Sequence, residues 1–358
     1  MQLIHSEKIS GVYSICNGIF SNWAEKENMF LFVLRVRNHE LKVQGNKYIN
    51  NGQNFIQDLR NLRNYINSNK ISIVHCHAIW QGLFLLFILR FSRQVKVKVV
   101  FHQHALFKRG VEYDFKSYYM TKILLPFVDK CIAASDSTKE YLLKNSSIHH
   151  DQISVVNNFV SPSNSGEKLT TDSDLLKLNK NDFKVGFAGR IVPTKDWRTF
   201  VDSYSHLSAK LKDNISYYIA GAGYEQKLLR SYLDSNSDLK VYFLGPIDNM
   251  QDFYNNMDLF VSCSHQESFG LTVAEAQMSG VLVISSDIEG ISSIITDGVN
   301  GLLFKTGDSE NLTTKVEIVY RDKELRERLA RNGKESALRF DRTKYLSRLS
   351  EIYLGLSR

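Results

Sequence analysis

The sequence predicts an α/β protein built of two doubly wound parallel domains. Three observations predict it: short apolar runs alternate with amphipathic stretches from end to end, one polar stretch interrupts that rhythm near the middle, and 358 residues is a length suited to two domains. A composition that is 43% hydrophobic and 23% charged excludes collagen-like, disordered and disulfide-scaffold chains. With only four prolines, a Pro-rich linker is excluded as well.

In the first half the predicted strands are Met29–Val36, Ser72–His75, Lys96–His102 and Lys130–Ala134, and the predicted helices Gly11–Trp23, Phe55–Ser68, Gln81–Phe91, Phe115–Phe127 and Ser137–Leu143. After Val160 comes SPSNSGEKLTTDSDLLKLNKND, rich in Ser, Asn, Asp and Lys, which reads as a boundary. The expected first domain is therefore 1–165, with 166–182 as linker and 183–339 as the second domain. There the predicted strands are Phe183–Ala188, Ile215–Ala220, Lys240–Leu244, Leu259–Ser262, Val281–Ser285 and Gly301–Phe304. The helices between them are Trp197–Leu211, Tyr224–Leu233, Met250–Asn256 and one starting at Gly270. The tail after Asp308 is helical, and Phe340–Leu356 places Tyr345, Leu346, Leu349, Ile352 and Tyr353 at helical spacing. No short-period repeat is present, which excludes a solenoid. In two such domains ligands are expected in a crevice at the carboxyl ends of the strands.

Cys16, Cys76, Cys131 and Cys263 form no CxxC pair, so neither a zinc site nor a redox motif is readable, and reduced buried thiols imply a cytoplasmic protein. The opening MQLIHSEKIS lacks the pattern of a secretory signal. The apolar run from Gly82 to Leu89 is far short of the roughly 20 residues that span a bilayer, so a buried helix is expected there. Charge is uneven: residues 1–150 carry a balance of +10 and the remainder −3. A basic half suits an anionic partner, either a membrane surface, a phospholipid-like substrate or nucleic acid, or is simply a soluble basic face. No nucleic-acid module or aromatic-basic interleaving is present, so nucleic acid is not an expected partner. The expected membrane-facing residues are Phe84–Phe91 and, above all, the segment Phe107–Tyr119 with Lys108 and Arg109.

The most informative segment is DLFVSCSHQESFGLTVAEAQMSG, Asp258–Gly280. A strand ends in a loop, and a Ser-Phe-Gly turn opens a helix whose first N–H groups, around Gly270, Leu271 and Thr272, form an anion site suited to phosphate. Glu267 and Glu275 flank it, placed to accept hydrogen bonds from hydroxyls of a ribose or sugar ring. The plainer alternative is a dipole partner and an exposed helix charge. Residues 251–300 hold seven acids and no Lys or Arg, so a bound diphosphate needs cations from elsewhere. GFAGRIVPTKD supplies them: after the strand ending near Gly189, Arg190 offers a fork and Lys195 a point charge, unless both are ordinary solvated cations.

On these residues the chain resembles the family-four retaining nucleotide-sugar glycosyltransferases. The family's E-x7-E signature matches Glu267-Ser268-Phe269-Gly270-Leu271-Thr272-Val273-Ala274-Glu275, and its G-R-x4-K element matches Gly189, Arg190 and Lys195. Phe243-Leu244-Gly245, Asp287-Ile288-Glu289-Gly290 and Asp297-Gly298-Val299-Asn300-Gly301 agree further. Cys263 departs from the proline more usual before the serine. The resemblance implies the GT-B fold, two Rossmann-like domains facing across a cleft, with the C-terminal helix 340–358 crossing back to complete the first. It implies that Arg190 and Lys195 hold the diphosphate, that Glu275 binds the ribose, and that Glu267 meets the donor sugar. The backbone from Phe269 to Thr272 would meet sugar and phosphate, the main chain at Ile247 the base, and Gly11 the phosphates from a loop where the first glycine of the family's pair is replaced by Ser10. A family histidine that follows the fourth strand and projects toward the reaction centre is matched by His104, or by His102 if the register slips by two. Among the other histidines, His75 and His77 follow one strand and His149 and His150 lie in a polar loop, with no metal convergence readable.

The activity implied is metal-independent transfer of a sugar, with retention, from a UDP-sugar or GDP-sugar to a glycan or lipid-linked acceptor in bacterial-type surface polysaccharide synthesis, peripherally at the inner membrane face. No cofactor besides the donor is implied; Gly221-Ala222-Gly223 lacks the third glycine of a dinucleotide fingerprint. The alternative is a non-catalytic nucleotide-sugar-binding or scaffolding protein of the same fold.

Overall fold

The computed structural model describes residues 1–6, 11–23, 29–35, 47–49, 54–77, 80–104, 119, 122–160, 178–179, 181–247 and 249–357. The chain forms two compact units, Met1–Phe159 with Arg342–Arg358, and Val160–Asp341. The sequence expectation is corrected at both crossings. Val160 donates its N–H to the Phe340 carbonyl at 3.0 Å, and Phe340 packs edge-on to Phe269 at 5.0 Å, so both belong to the second unit. Of the expected linker, 166–177 and 180 lie outside the described residues. Asp182 at its end is buried, accepting from Ser216 and, at 3.4 Å, from Lys240, both of the second unit.

Unit one is a seven-stranded parallel sheet of β1 (Gln2–Ser6), β2 (Leu31–Arg35), β3 (Lys47–Ile49), β4 (Ile73–His77), β5 (Lys98–Gln103), β6 (Lys130–Ala133) and β7 (Ile153–Val155), in the order 3-2-1-4-5-6-7. β1, β3 and β7 are additions to the predicted strands. The helix Phe55–Ser68 is as predicted; Asn54 caps it by accepting from the Gln57 N–H at 3.0 Å, and its buried Leu62 and Ile66 stand four apart on the sheet-facing stripe. Trp80–Phe91 is the expected buried helix, with Leu83, Leu85, Leu86, Phe87 and Leu89 inside and its last residue, Phe91, strongly exposed.

Unit two is a six-stranded parallel sheet of β8 (Phe183–Ala188), β9 (Ile215–Ala220), β10 (Val241–Gly245), β11 (Leu259–Ser262), β12 (Leu282–Ser286) and β13 (Leu302–Phe304), in the order 10-9-8-11-12-13. The long helix expected over Trp197–Leu211 is broken into Trp197–Ser205 and Ala209–Lys212. Leu207 turns back to bond the Tyr204 carbonyl, and Ser208 starts the new segment.

The last helix begins at Arg342, two residues later than expected, because Leu338–Phe340 is a 3-10 turn. It belongs to unit one, where Tyr345 and Leu349 are buried and Tyr353 packs against Trp23 with ring centres 5.5 Å apart. Leu349→Ala should therefore destabilise unit one by about 3 kcal/mol, the usual scale for emptying a fully buried leucine site. Urea unfolding followed by hydrogen exchange in β4 and β5 checks this, and an unchanged midpoint there would contradict the assignment of the last helix.

Candidate functional site

In both sheets the strand order reverses once, between β1 and β4 and between β8 and β11. Crossovers leave such a point in opposite directions, which opens a crevice at the carboxyl ends of the two central strands. The residues singled out in the second half all follow strands of that sheet at this end: Gly189, Arg190 and Lys195 after β8, Ile247 after β10, and Glu267 to Thr272 after β11.

The two loops flanking the β8/β11 reversal are tied together. Lys195 donates to Glu267 Oε1, which also accepts from the Ser264 hydroxyl at 2.9 Å. Both charged side chains are mostly buried, 19% and 14% exposed, a setting in which an unpaired charge is costly. The His265 N–H donates to the Thr194 carbonyl at 2.9 Å, and its ring lies 3.1 Å from Asp196. Asp196, held at φ 49°, caps the helix starting at Trp197 through Thr199. Behind Glu267, Gly290 approaches so closely that a Cβ would stand 1.9 Å from the Glu267 carbonyl oxygen, which explains the glycine of the Asp287–Gly290 stretch.

The helix Leu271–Met278 starts at Gly270, whose φ of 91° and whose packing, with a Cβ 2.5 Å from Ile291 Cδ1, admit only glycine. Gly270 at the cap position makes no side-chain cap bond, which leaves this helix start without the usual N-cap side chain. Phe269 is buried beneath the turn; Arg190 is exposed at the rim. Glu275 is turned inward on the same helix, accepting from the Tyr254 hydroxyl at 2.9 Å. Burial pushes its carboxyl up to about 7, and the tyrosine bond pulls the other way. Ser264, His265, Asp196 and Tyr254 were not found from the sequence. Ser264 and His265 lie inside the signature loop, but Asp196 and Tyr254 reach the site only through the fold.

In unit one, Gly11 opens the helix Gly11–Asn22 after β1, and Ser10 lies outside the described residues. His104 follows β5 at its carboxyl end and is 8% exposed. His102, the alternative, is fully buried one alternation back and belongs to the interior. The parallel register sets His77 beside His102, and alternation adds His75 and His104, so four imidazoles lie in one layer. His77 Nδ1 is 2.8 Å from His104 Nε2, His75 Nδ1 is 2.6 Å from the Tyr353 hydroxyl, and Tyr345 stands over His102 at 3.5 Å. Burial, aided by mutual repulsion, holds His75, His77 and His102 well below the usual imidazole range, and burial alone brings His104 down to about 3. His149 and His150 are exposed beside Asp151 and stand apart from this layer.

Residues 170–336 match the family model described as glycosyl transferases group 1, and residues 19–164 the one described as Glycosyltransferase Family 4. The chain is 28% identical over 234 residues to the capsular polysaccharide biosynthesis glycosyltransferase CapM of Staphylococcus aureus, covering 63% of this chain and 61% of that one. It is 29% identical over 157 residues to the N,N'-diacetylbacillosaminyl-diphospho-undecaprenol alpha-1,3-N-acetylgalactosaminyltransferase of Campylobacter jejuni, covering 44% and 42%. These matches span less than two thirds of either relative's length. In fold it is similar to Anabaena HepE in complex with UDP, with a TM-score of 0.80 at 18% identity over 99% of each chain. It is also similar to a sucrose-phosphate synthase of Thermosynechococcus elongatus, with a TM-score of 0.82 at 17% identity over 99% and 98%.

The four imidazoles make unit one acid-labile. Their folded pKa values lie below the unfolded value near 6.5, so only the unfolded chain takes up these protons as pH falls through 6.5. Stability is complete above that pH and declines below it, by up to about 1.4 kcal/mol per histidine per pH unit. Hydrogen exchange in β4 and β5 should show a marked loss between pH 7.5 and 5.5, and His102→Gln should reduce the slope. Equal protection at the two pH values would contradict the neutral layer.

Proposed function

Since the chain belongs to glycosyltransferase family four and has the GT-B fold of two Rossmann-like domains, we propose that it moves a hexose from a nucleotide diphosphate sugar to a glycan or lipid-linked acceptor of a bacterial-type surface polysaccharide. The observation that carries this reading is the joining of Lys195, Glu267 and an uncapped helix start at one strand-order reversal. Lys195 spends one of its three N–H donors on Glu267 and keeps others for phosphate oxygens. Arg190 adds a fork from the rim, and the amides of Gly270, Leu271 and Thr272 complete a positive lining around the diphosphate.

Glycosyl transfer builds positive charge on the sugar ring and negative charge on the departing diphosphate. The lysine, the arginine and the amides stabilise that charge where it grows, which lowers the barrier without a divalent cation. The acceptor hydroxyl attacks on the face the diphosphate leaves and gives it its proton, so the anomer is retained and no side-chain nucleophile is needed. Glu267 and Glu275 accept from sugar and ribose hydroxyls respectively and are not the acid and nucleophile of a glycosidase. A UDP-sugar is the favoured donor, in line with the UDP in Anabaena HepE, and the undecaprenol diphosphate in the name of the Campylobacter relative favours a lipid-linked acceptor.

Arg190→Ala and Glu275→Ala are each expected to weaken donor binding or turnover at least tenfold, by leaving donor groups unpaired. Donor affinity should fall as pH drops below about 7 and Glu275 takes up its proton. EDTA should leave turnover unchanged. Near wild-type kinetics in both variants, measured with radiolabelled UDP- and GDP-sugars and a membrane lipid extract, would remove the donor assignment; loss in EDTA restored by manganese would remove metal independence.

We further propose that unit one attaches to an anionic membrane surface. No helix among the described residues is long and apolar enough to cross one. Of the segments expected to face lipid, 107–118 lies outside the described residues, and Phe84–Phe91 is mainly core. Its exposed end nevertheless makes a patch: Phe91 meets Phe127 edge-on at 5.8 Å, both more than half exposed, with exposed Ile123 and Lys122 close by in sequence. Flotation with anionic vesicles should weaken as salt rises toward physiological strength and fall further in Phe91→Ser/Phe127→Ser. Equal binding to neutral and anionic vesicles would exclude the electrostatic part.

A further inference from the structure

The helix Met250–Asn255 leads from β10 into β11, and the helix Leu271–Met278 leads from β11 into β12. Two side-chain pins join them. Gln251 donates from Nε2 to the Ser279 hydroxyl at 2.8 Å, and that hydroxyl donates to the Glu275 carbonyl at 2.8 Å. The other pin is the Tyr254 hydroxyl, 2.9 Å from Glu275 Oε2. The first ends on the backbone of Glu275, the second on its carboxylate.

The direction of the second bond is fixed by chemistry. Burial, with the neighbouring carboxylate adding to it, raises the Tyr254 phenol well above its ordinary range, so it keeps its proton where Glu275 is ionised. A carboxylate has no proton to give, so Tyr254 donates and Glu275 accepts. The phenol ring is buried and held edge-on by Phe253 and Phe260, with ring centres 6.0 and 5.4 Å away. Glu275 is half-buried, and among the described residues its Oε1 has no hydrogen-bond partner.

No described residue forms an ion pair with Glu275. Lys334 of the helix Lys323–Ala337 lies at the far end of the Glu275 helix, beside Gly280. Asp252, one turn from Gln251 and Tyr254 on their short helix, is turned to Asn249 at 3.0 Å, and β11 and β12 carry no ionisable side chain. Burial and the Tyr254 bond are thus the two influences on the carboxyl.

We propose that Tyr254 is a positioning residue for Glu275: its hydroxyl occupies Oε2, keeps the carboxyl in its acceptor form and leaves Oε1 to meet a ligand's hydroxyls. Without that hydroxyl the carboxyl keeps its buried setting but loses the donor that favours its ionised form, so it takes up its proton at higher pH. That the ligand's hydroxyls are those of a ribose rests on the proposed function; the hold of Tyr254 on Glu275 does not.

The test is a carbon NMR titration of the full chain labelled at glutamate, with the Glu275 carboxyl assigned by its absence in Glu275→Gln. In Tyr254→Phe its midpoint should rise by about one pH unit, the usual weight of a hydrogen bond to a charged group. With 3-fluorotyrosine in place of Tyr254, a stronger donor of similar size, the midpoint should fall below that of the wild type. Calorimetry with UDP should show an affinity loss in Tyr254→Phe about fivefold larger at pH 7, where ionisation differs between the two proteins, than at pH 9, where both are mostly ionised. An unchanged or lowered midpoint in Tyr254→Phe overturns the inference, and so does a loss of UDP affinity equal at the two pH values, which is the mark of altered packing alone. If Tyr254→Phe does not fold, an unchanged midpoint with 3-fluorotyrosine overturns it. A midpoint that moves as expected while the variant binds UDP as the wild type does at both pH values upholds the role of Tyr254 and removes the ribose from Glu275.

Discussion

Lys195 and Glu267 are 72 residues apart in the chain and meet because the strand order of the second sheet turns back between β8 and β11. Parallel strands end at one level, and the two loops leaving them diverge, so a side chain from each must close the gap. A lysine and a glutamate do so in a region whose later fifty residues carry seven acids and no Lys or Arg. The pair neutralises one of those acids without filling the place of an incoming anion. The contacts around it act as a frame: His265 fastened to Thr194 and Asp196, Gly290 pressed against the Glu267 carbonyl, and Gly270 setting the helix end. Such a frame fixes the charges before any ligand arrives, which is what electrostatic stabilisation of a transition state requires.

Unit one repeats the same topology with different chemistry. Its reversal lies between β1 and β4, and the described histidines at the ends of β4 and β5 are imidazoles held neutral by burial. They are clamped by tyrosines of a helix that is last in the chain; the bond from Tyr353 to His75 links residues 278 apart. Unit one therefore cannot complete its packing until the second unit has been made, and its longest-range contacts close last. The acid sensitivity of the layer and its dependence on the last helix have one origin, the burial of groups that must stay neutral.

Much of the second unit was legible because its signals are local. A strand, a turn and a helix start carry the E-x7-E spacing, and the glycines at 270 and 290 occupy places that admit no side chain. Tyr254 and Asp196 gave no such signal, since each reaches the site through a helix whose placement depends on the whole sheet. In the first unit, β3 and β7 have three residues each, too few for alternation to show, and β1 is only five residues at the very start. The histidines show the limit most clearly. In the sequence His75 and His77 only follow one strand and His102 and His104 another, and adjacency of β4 and β5 in register makes four rings one layer.

Glu275 shows how fold and proposed function share an energy. Its carboxyl, raised from about 4.5 to about 7, is an unfavourable place for a charge, and the single bond from Tyr254 compensates it only in part. A shift of that size corresponds to about 3 kcal/mol spent at neutral pH on keeping the group ionised. Hydroxyls donating to it, as a ribose would, favour the ionised form and recover part of that amount, so the cost borne by the folded chain becomes affinity for a ligand of that kind. Lys195 and Glu267 work in the opposite sense, being satisfied by each other, and under the proposed function a phosphate would share the lysine. One acid thus waits under-solvated and one waits paired. Under the proposed function the two ends of a donor would be recognised by unlike means, hydroxyls by a carboxylate already bonded to Tyr254 and phosphates by a cation that can divide its bonds.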